Sequence, residues 1–524
     1  MRILCIAVLL MFASADAARA QAPAFFTAFV LLGEGSDGAT VPMVRSVAER
    51  MTACPVLRSS HGGPPVPMTP RTRPEGGQFD RVTVCEARYP VGEAASVFAG
   101  DRRIDLPAVS LGTPRRVVLV GDSGCKGDTP HKPQSCTGDG FAKVWPFGML
   151  SDEEAGKRPD LIVHVGDYNY RGTDRGLSFP TRVTGYAEPY KASVYDTGDL
   201  DDEDVPELPI GAAYWSQNMR GSPNPDRWTN WRDDFFLPGA RLLPAAPWLF
   251  ARGNHELCSR AGPGWFYLLD VGSSLLGPGR GQRSCPPQTP ADWRDGAWPS
   301  PPMPFAGQKF PTVLTPPFRV KLGTLVLVMV DSANAADAVL YNLEPYILQY
   351  RQIAGWLAAD HTPTWLVTHR PIWGVVKRDK GGPIGLTPYG FINETQREAL
   401  RRVFPDGLPN HVKVAIAGHM HRFQAIGFET RQPPHLAVGT GGMELSHVQP
   451  PPAPDDPRKP VRVKELDKAD AWVVGLRDFA AMIMLPVDDG TWTSTLHGMA
   501  GEILAVCDSR WPGQGRQRSV CELR

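Results

Sequence analysis

Neither sign of charge is in excess along this chain: lysine plus arginine number 55, and aspartate plus glutamate also number 55. That balance excludes a global basic field for nucleic acid or an anionic membrane surface. Past the N-terminus, no segment holds the ~20 consecutive apolar residues that a spanning helix needs, so no membrane anchor is expected in the body of the chain. None of the nine cysteines belongs to a CxxC pair, which removes the usual spacing of a thiolate zinc site. Internal repeats are lacking. So is the G-x-S-x-G of a nucleophile elbow, since Gly121-Asp122-Ser123-Gly124 has the wrong spacing. What remains is a chain of 524 residues with 42% hydrophobic content, enough for a large packed core with insertions or for several domains.

The first residues read as an export signal over 1–20. Met1-Arg2 is positive, residues 3–13 are apolar, and Ala18-Arg19-Ala20 fits a cleavage site before Gln21. Eight cysteines remain after Cys5, an even number that suits a periplasmic or extracellular protein. Pairing by neighbours gives Cys54–Cys85, Cys125–Cys136, Cys258–Cys285 and Cys507–Cys521, although spacing alone leaves the connectivity open.

Residues 21–113 carry no recognisable chemistry and read as a small accessory region, with residues 44–52 as a short helix. The core is expected over 114–524, with insertions at 171–246 and 259–318 that are rich in glycine and proline. Within it, short apolar runs such as Val117-Val118-Leu119-Val120 and Leu161-Ile162-Val163-His164-Val165 suit strands buried on both faces. Residues 343–359 carry apolar positions every three or four residues, the pattern of an amphipathic helix, and 395–403 form a shorter candidate. The class is therefore α/β.

Five motifs follow such runs in order: Gly121-Asp122-Ser123-Gly124, Gly166-Asp167-Tyr168-Asn169-Tyr170, Gly253-Asn254-His255-Glu256, Thr368-His369 and Gly418-His419-Met420-His421. Polar residues directly after buried strands lie at their C-terminal ends, where sites gather in α/β sheets. Their donors are carboxylate, amide and imidazole groups, which suit hard or borderline cations. One carboxylate between two ions holds them ~3.5–4 Å apart, and Asp167 is placed to be that bridge.

The motif set resembles that of the calcineurin-like metallophosphoesterase superfamily, and within it the purple acid phosphatases, whose pattern is DxG, GDxxY, GNH(E/D), VxxH and GHxH. Leu366 stands where the fourth motif has valine. The resemblance covers roughly residues 115–445 and implies a four-layer α/β/β/α sandwich. It implies a first metal held by Asp122, Asp167, Tyr170 and His421, and a second held by Asp167, Asn254, His369 and His419. It implies Fe(III) paired with Fe(II), Zn(II) or Mn(II) where Tyr170 binds as a phenolate; where Tyr170 only packs or hydrogen-bonds, the site suits Mn, Zn or Fe(II). His255 is expected beside the substrate as a catalytic group, with Glu256 orienting it. Arg252, Arg370 and Arg422 flank the motifs and are candidates for gripping phosphate oxygens. The expected activity is hydrolysis of small phosphate monoesters by a metal-bound hydroxide. The motifs do not separate this from a phosphodiesterase or nucleotide-cleaving enzyme on the same metals, and a non-catalytic binding protein is a further alternative.

Overall fold

A computed structural model describes residues 25–74, 77–125, 145–170, 226–257, 261–285, 314–335, 337, 343–377, 389–447, 456, 458–467, 469–509 and 520–524. The expected signal segment, Cys136, Cys258, and residues 171–225 and 286–313 of the two insertions lie outside these.

The chain has a mixed α/β fold built on two large sheets. The first has eleven strands, in the order Cys521–Leu523, Ile503–Asp508, Trp492–Gly498, Ala480–Pro486, Val117–Val120, Leu161–His164, Trp248–Phe250, Phe26–Glu34, Thr40–Glu49, Val82–Arg88 and Thr69–Pro70. The second has eight: Phe318–Leu322, Leu325–Met329, Thr364–Val367, Val412–Ala417, His435–Val438, Phe423–Phe428, Ala469–Leu476 and Val461–Leu466. Each sheet contains a parallel centre. In the first, Val117–Val120, Leu161–His164, Trp248–Phe250 and Phe26–Glu34 run together. In the second, Leu325–Met329, Thr364–Val367, Val412–Ala417 and His435–Val438 do the same.

Strand alternation explains the layers. Leu327 and Met329 enter the core shared with the first sheet, while Val326 and Val328 point the other way into a second core. Helices Leu343–Ala359 and Glu394–Val403 cover that second core, the former through Tyr346, Ile347, Tyr350, Ile353 and Leu357. On the far face of the first sheet, His164, Trp248 and Phe250 meet aromatic side chains from helical segments. Phe147 of helix Pro146–Gly156 stacks on Phe235 at 5.6 Å, and Phe235 meets Trp248 and Phe250 at 6.3 and 6.2 Å. The layers are thus helix, sheet, sheet, helix.

One expectation changes. Residues 44–52 are not helical, because Thr40–Glu49 pairs along its length with Phe26–Glu34 and with Val82–Arg88. Sheet pairing on both edges overrides a helix-like spacing in so short a run. Within the expected accessory region, Phe26–Glu34 and Thr40–Glu49 continue the first sheet, with Leu31 paired in parallel with Trp248. Strands Val66–Pro67, Val56–Ser59, Ala95–Ala99 and Arg102–Leu106 form a separate four-stranded sheet. Cys54 is bonded to Cys85 and Cys507 to Cys521, the latter pair directly opposite on adjacent strands. Cys125 and Cys285 are also disulfide-bonded, and their expected partners lie outside the described residues.

Candidate metal centre

Six chain segments meet where the parallel centres of the two sheets end. The turns after Val117–Val120, Leu161–His164 and Trp248–Phe250 bring Asp122, Asp167 and Asn254 from the first sheet. Those after Thr364–Val367 and Val412–Ala417 bring His369, His419 and His421 from the second. The turn after Leu325–Met329 adds Ser332, whose Oγ accepts the backbone N–H groups of His369 and Arg370 at 3.0 and 2.9 Å. The turns also bond to one another: Asp122 N–H to Gly166 O at 2.9 Å and Ser123 N–H to Asp167 O at 3.0 Å.

The backbone bends sharply to achieve this. Asp122, Asp167, His419 and His421 all have positive φ, at +56°, +60°, +70° and +46°. Non-glycine residues in that region cost on the order of 1–3 kcal/mol each, and such strain collects at functional sites. Glycine makes room. A Cβ on Gly253 would overlap Asp167 Oδ1, and one on Gly166, itself at φ +104°, would overlap the His369 ring.

The donors converge on Asp167. Its Oδ2 lies 2.9 Å from the Tyr170 hydroxyl and 3.1 Å from His369 Nε2. The Tyr170 hydroxyl is also 3.0 Å from Asp122 Oδ1 and 3.0 Å from His421 Nε2. On the other side, His369 Nε2 is 2.8 Å from Asn254 Oδ1. Ligand atoms of Asp122, Asp167 and His421 lie within 4.8 Å of one another, as do those of Asp167, His369 and His419. The two groups share Asp167 alone, and all these residues are buried.

Protonation tells the same story. Burial raises the Asp122 pKa to about 6 despite His369 and His421, and Asp167 adds to the rise. Burial acts upward on Asp167 too, but His369 and His255 hold it well below the usual carboxylate range. Burial lowers His369, yet Asp167 and Asp122 outweigh this and lift it to about 9. Without cations, bound protons must neutralise the cluster. Cations fit it better, because one also satisfies an atom that nothing else does: His419 Nδ1 is buried without a hydrogen-bond partner.

Other expected residues are near but differently engaged. His255 is buried, with its ring 4.0 Å from that of Tyr170 and its backbone N–H donating to Asp167 Oδ1 at 2.9 Å. Glu256 does not orient His255. Its carboxylate accepts the backbone N–H groups of Asp167, Tyr168, Asn169 and Gly253 at 2.8–3.2 Å, and so holds the Asp167 turn in shape. The three arginines are engaged by the chain itself. Arg252 is buried against Asp331 and the Glu256 carbonyl, Arg370 pairs with Asp337 at 2.6 Å, and Arg422 donates to the carbonyls of His447 and Val375. Each guanidinium is recruited to hold loop backbone or an acid, which the flanking position in sequence does not reveal.

Sequence reading missed Asp337, which contacts His419 and belongs to no motif, and the turn at Gly439, whose Cβ position faces Asp122 Oδ2 at 2.8 Å. Gly439-Thr440-Gly441-Gly442 after a strand was the available signal for the latter.

Comparison with solved structures finds a likeness to the purple acid phosphatase PPD1 isolated from yellow lupin (Lupinus luteus) seeds. The TM-score is 0.48 and the identity 13%, over 91% of this chain and 73% of that one. No family model matches the chain, and no curated protein matches its sequence. At that score and identity, no residue role passes from one protein to the other.

Proposed function

We propose that this protein is a dinuclear metal-dependent phosphoesterase acting on small phosphate monoesters. The observation that carries the reading is the sharing of Asp167 between two buried donor groups. Asp122, Asp167, Tyr170 and His421 would hold one ion, and Asp167, Asn254, His369 and His419 the other. Bound there, a pair of cations would supply a water of lowered pKa and charge to neutralise phosphoryl oxygens. The chain's own residues do the rest. Glu256 fixes the Asp167 turn through four backbone N–H groups. Ser332 fixes the His369 turn. His255, beside Tyr170 at the rim of the donor set, protonates the leaving oxygen. The phenol of Tyr170, within 3.0 Å of two carboxylates, suits Fe(III) in the first position once ionised, paired with Fe(II), Zn(II) or Mn(II). Disulfides at Cys54–Cys85 and Cys507–Cys521 support residence outside the cytoplasm. No helix among the described residues is long and apolar enough to cross a membrane.

The test is a paired assay on p-nitrophenyl phosphate and bis-p-nitrophenyl phosphate, before and after chelation and with metal added back. Monoester turnover that disappears with chelation and returns with metal is expected. Turnover confined to the diester moves the substrate class. Absence of turnover on either ester with two ions bound per chain contradicts the proposal.

A further inference from the structure

Asp337 lies between strand Leu325–Met329 and helix Leu343–Ala359, outside every motif. It is 2% exposed. Its Oδ2 accepts from two donors at once, Arg370 Nη1 at 2.6 Å and His419 Nε2 at 2.6 Å. Its Oδ1 accepts from Asn393 Nδ2 at 2.6 Å, and its backbone carbonyl accepts the Glu394 N–H at 2.9 Å. Asn393 is in turn tied to Ala335 O and caps helix Glu394–Val403 through Gln396 N–H. The carboxylate is therefore anchored from the backbone and from both oxygens.

The consequence falls on His419. Only a protonated Nε2 can donate to Asp337, and that leaves the lone pair on Nδ1, the atom that is buried without a hydrogen-bond partner. Arg370 Nη1 also lies 3.3 Å from His419 Nε2. Without Asp337, the guanidinium would donate to Nε2 and move the proton to Nδ1, where it would block a cation.

We infer that Asp337 is a positioning residue that sets the tautomer of His419, so that Nδ1 is the donor to the second ion, and that Arg370 serves to hold Asp337. This rests on the reading of the site as a metal centre. Outer carboxylates of this kind typically change metal affinity about 10–100-fold.

The experiment is zinc titration of the metal-stripped full chain by calorimetry, for wild type, Asp337→Ala and the double variant Asp337→Ala/Arg370→Leu. The wild type should take up two Zn(II). Asp337→Ala should keep one site and weaken the other about 10–100-fold, and the double variant should recover part of that loss because the competing donor is gone. A wild type that binds no zinc overturns the metal-centre reading itself. Two unchanged sites in Asp337→Ala, or a double variant weaker than the single, overturn the role of Asp337 alone. Nitrogen-15 histidine spectra of the zinc-loaded wild type need no variant to fold. They should show His419 metallated at Nδ1 and protonated at Nε2, and metallation at Nε2 overturns the inference.

Discussion

Two buried polar clusters sit in this protein, and they solve opposite problems. The first is the donor set around Asp167. The second is a knot in which Arg45 and Arg71 flank Glu86 at 3.0 and 2.7 Å and donate to the carbonyls of Phe266, Tyr267, Leu268, Asp270 and Gly272. In the knot, cations and acceptors are supplied together by the chain. Burial and Arg71 lower the Arg45 pKa to about 10, and the two arginines hold Glu86 below its usual value against burial. The knot fastens residues 266–273 to strands Thr40–Glu49 and Val82–Arg88. The site cluster has acids and imidazoles but no arginine or lysine against Asp122 or Asp167 among the described contacts, and four of its residues have positive φ. A network that balances its own charge holds structure. One that leaves acids uncompensated on strained backbone is built to receive something.

The largest effect that would break this contrast is on turnover. Asp167→Ala should abolish bound metal and reduce hydrolysis to background, by elemental analysis and the monoester assay. His255→Ala should keep both ions and lose about 10²–10⁴-fold in kcat. Loss of metal in that variant would place His255 among the ligands instead. Glu86→Ala should do the reverse of Asp167→Ala. It strands two buried guanidinium groups, and unfolding in urea should show a loss of about 3–5 kcal/mol with metal stoichiometry intact in the folded fraction.

A third carboxyl sharpens the comparison. Glu154, on helix Pro146–Gly156, is buried with both oxygens lacking a hydrogen-bond partner. Burial outweighs the pull of Lys157 and Arg116 and lifts its pKa from 4.5 to about 7. The unfolded chain releases that proton near pH 4.5 and the folded chain near 7. The fold therefore loses stability as pH rises between these values, and the loss is constant above pH 7. Glu154→Gln should remove this slope and gain roughly 2–3 kcal/mol at pH 8, with no change near pH 4. Equal pH dependence in both proteins would contradict the assignment.

The sequence made some of this legible and hid the rest for physical reasons. Strands at the centre of each sheet are buried on both faces, so Val117–Val120 and Val412–Ala417 appear as unbroken apolar runs, and the donors follow them. Helix Leu343–Ala359 has one wet face and shows its period. Asp337 has no such neighbour pattern, because its meaning comes only from a contact with His419 across 82 positions. Glu256 carries the right motif letter, but what its carboxylate touches is set by the way the turn at residues 167–169 folds under it. The arginines beside the motifs look available in sequence and are claimed in space by Asp331, Asp337 and carbonyls.

The most direct test is anomalous diffraction from crystals of the purified full chain. Two peaks about 3.5–4 Å apart should flank the Asp167 carboxylate, one facing Asp122 and His421, the other facing Asn254, His369 and His419 Nδ1. A single ion elsewhere on the molecule, or metal-soaked crystals with an empty space at Asp167, would contradict the account.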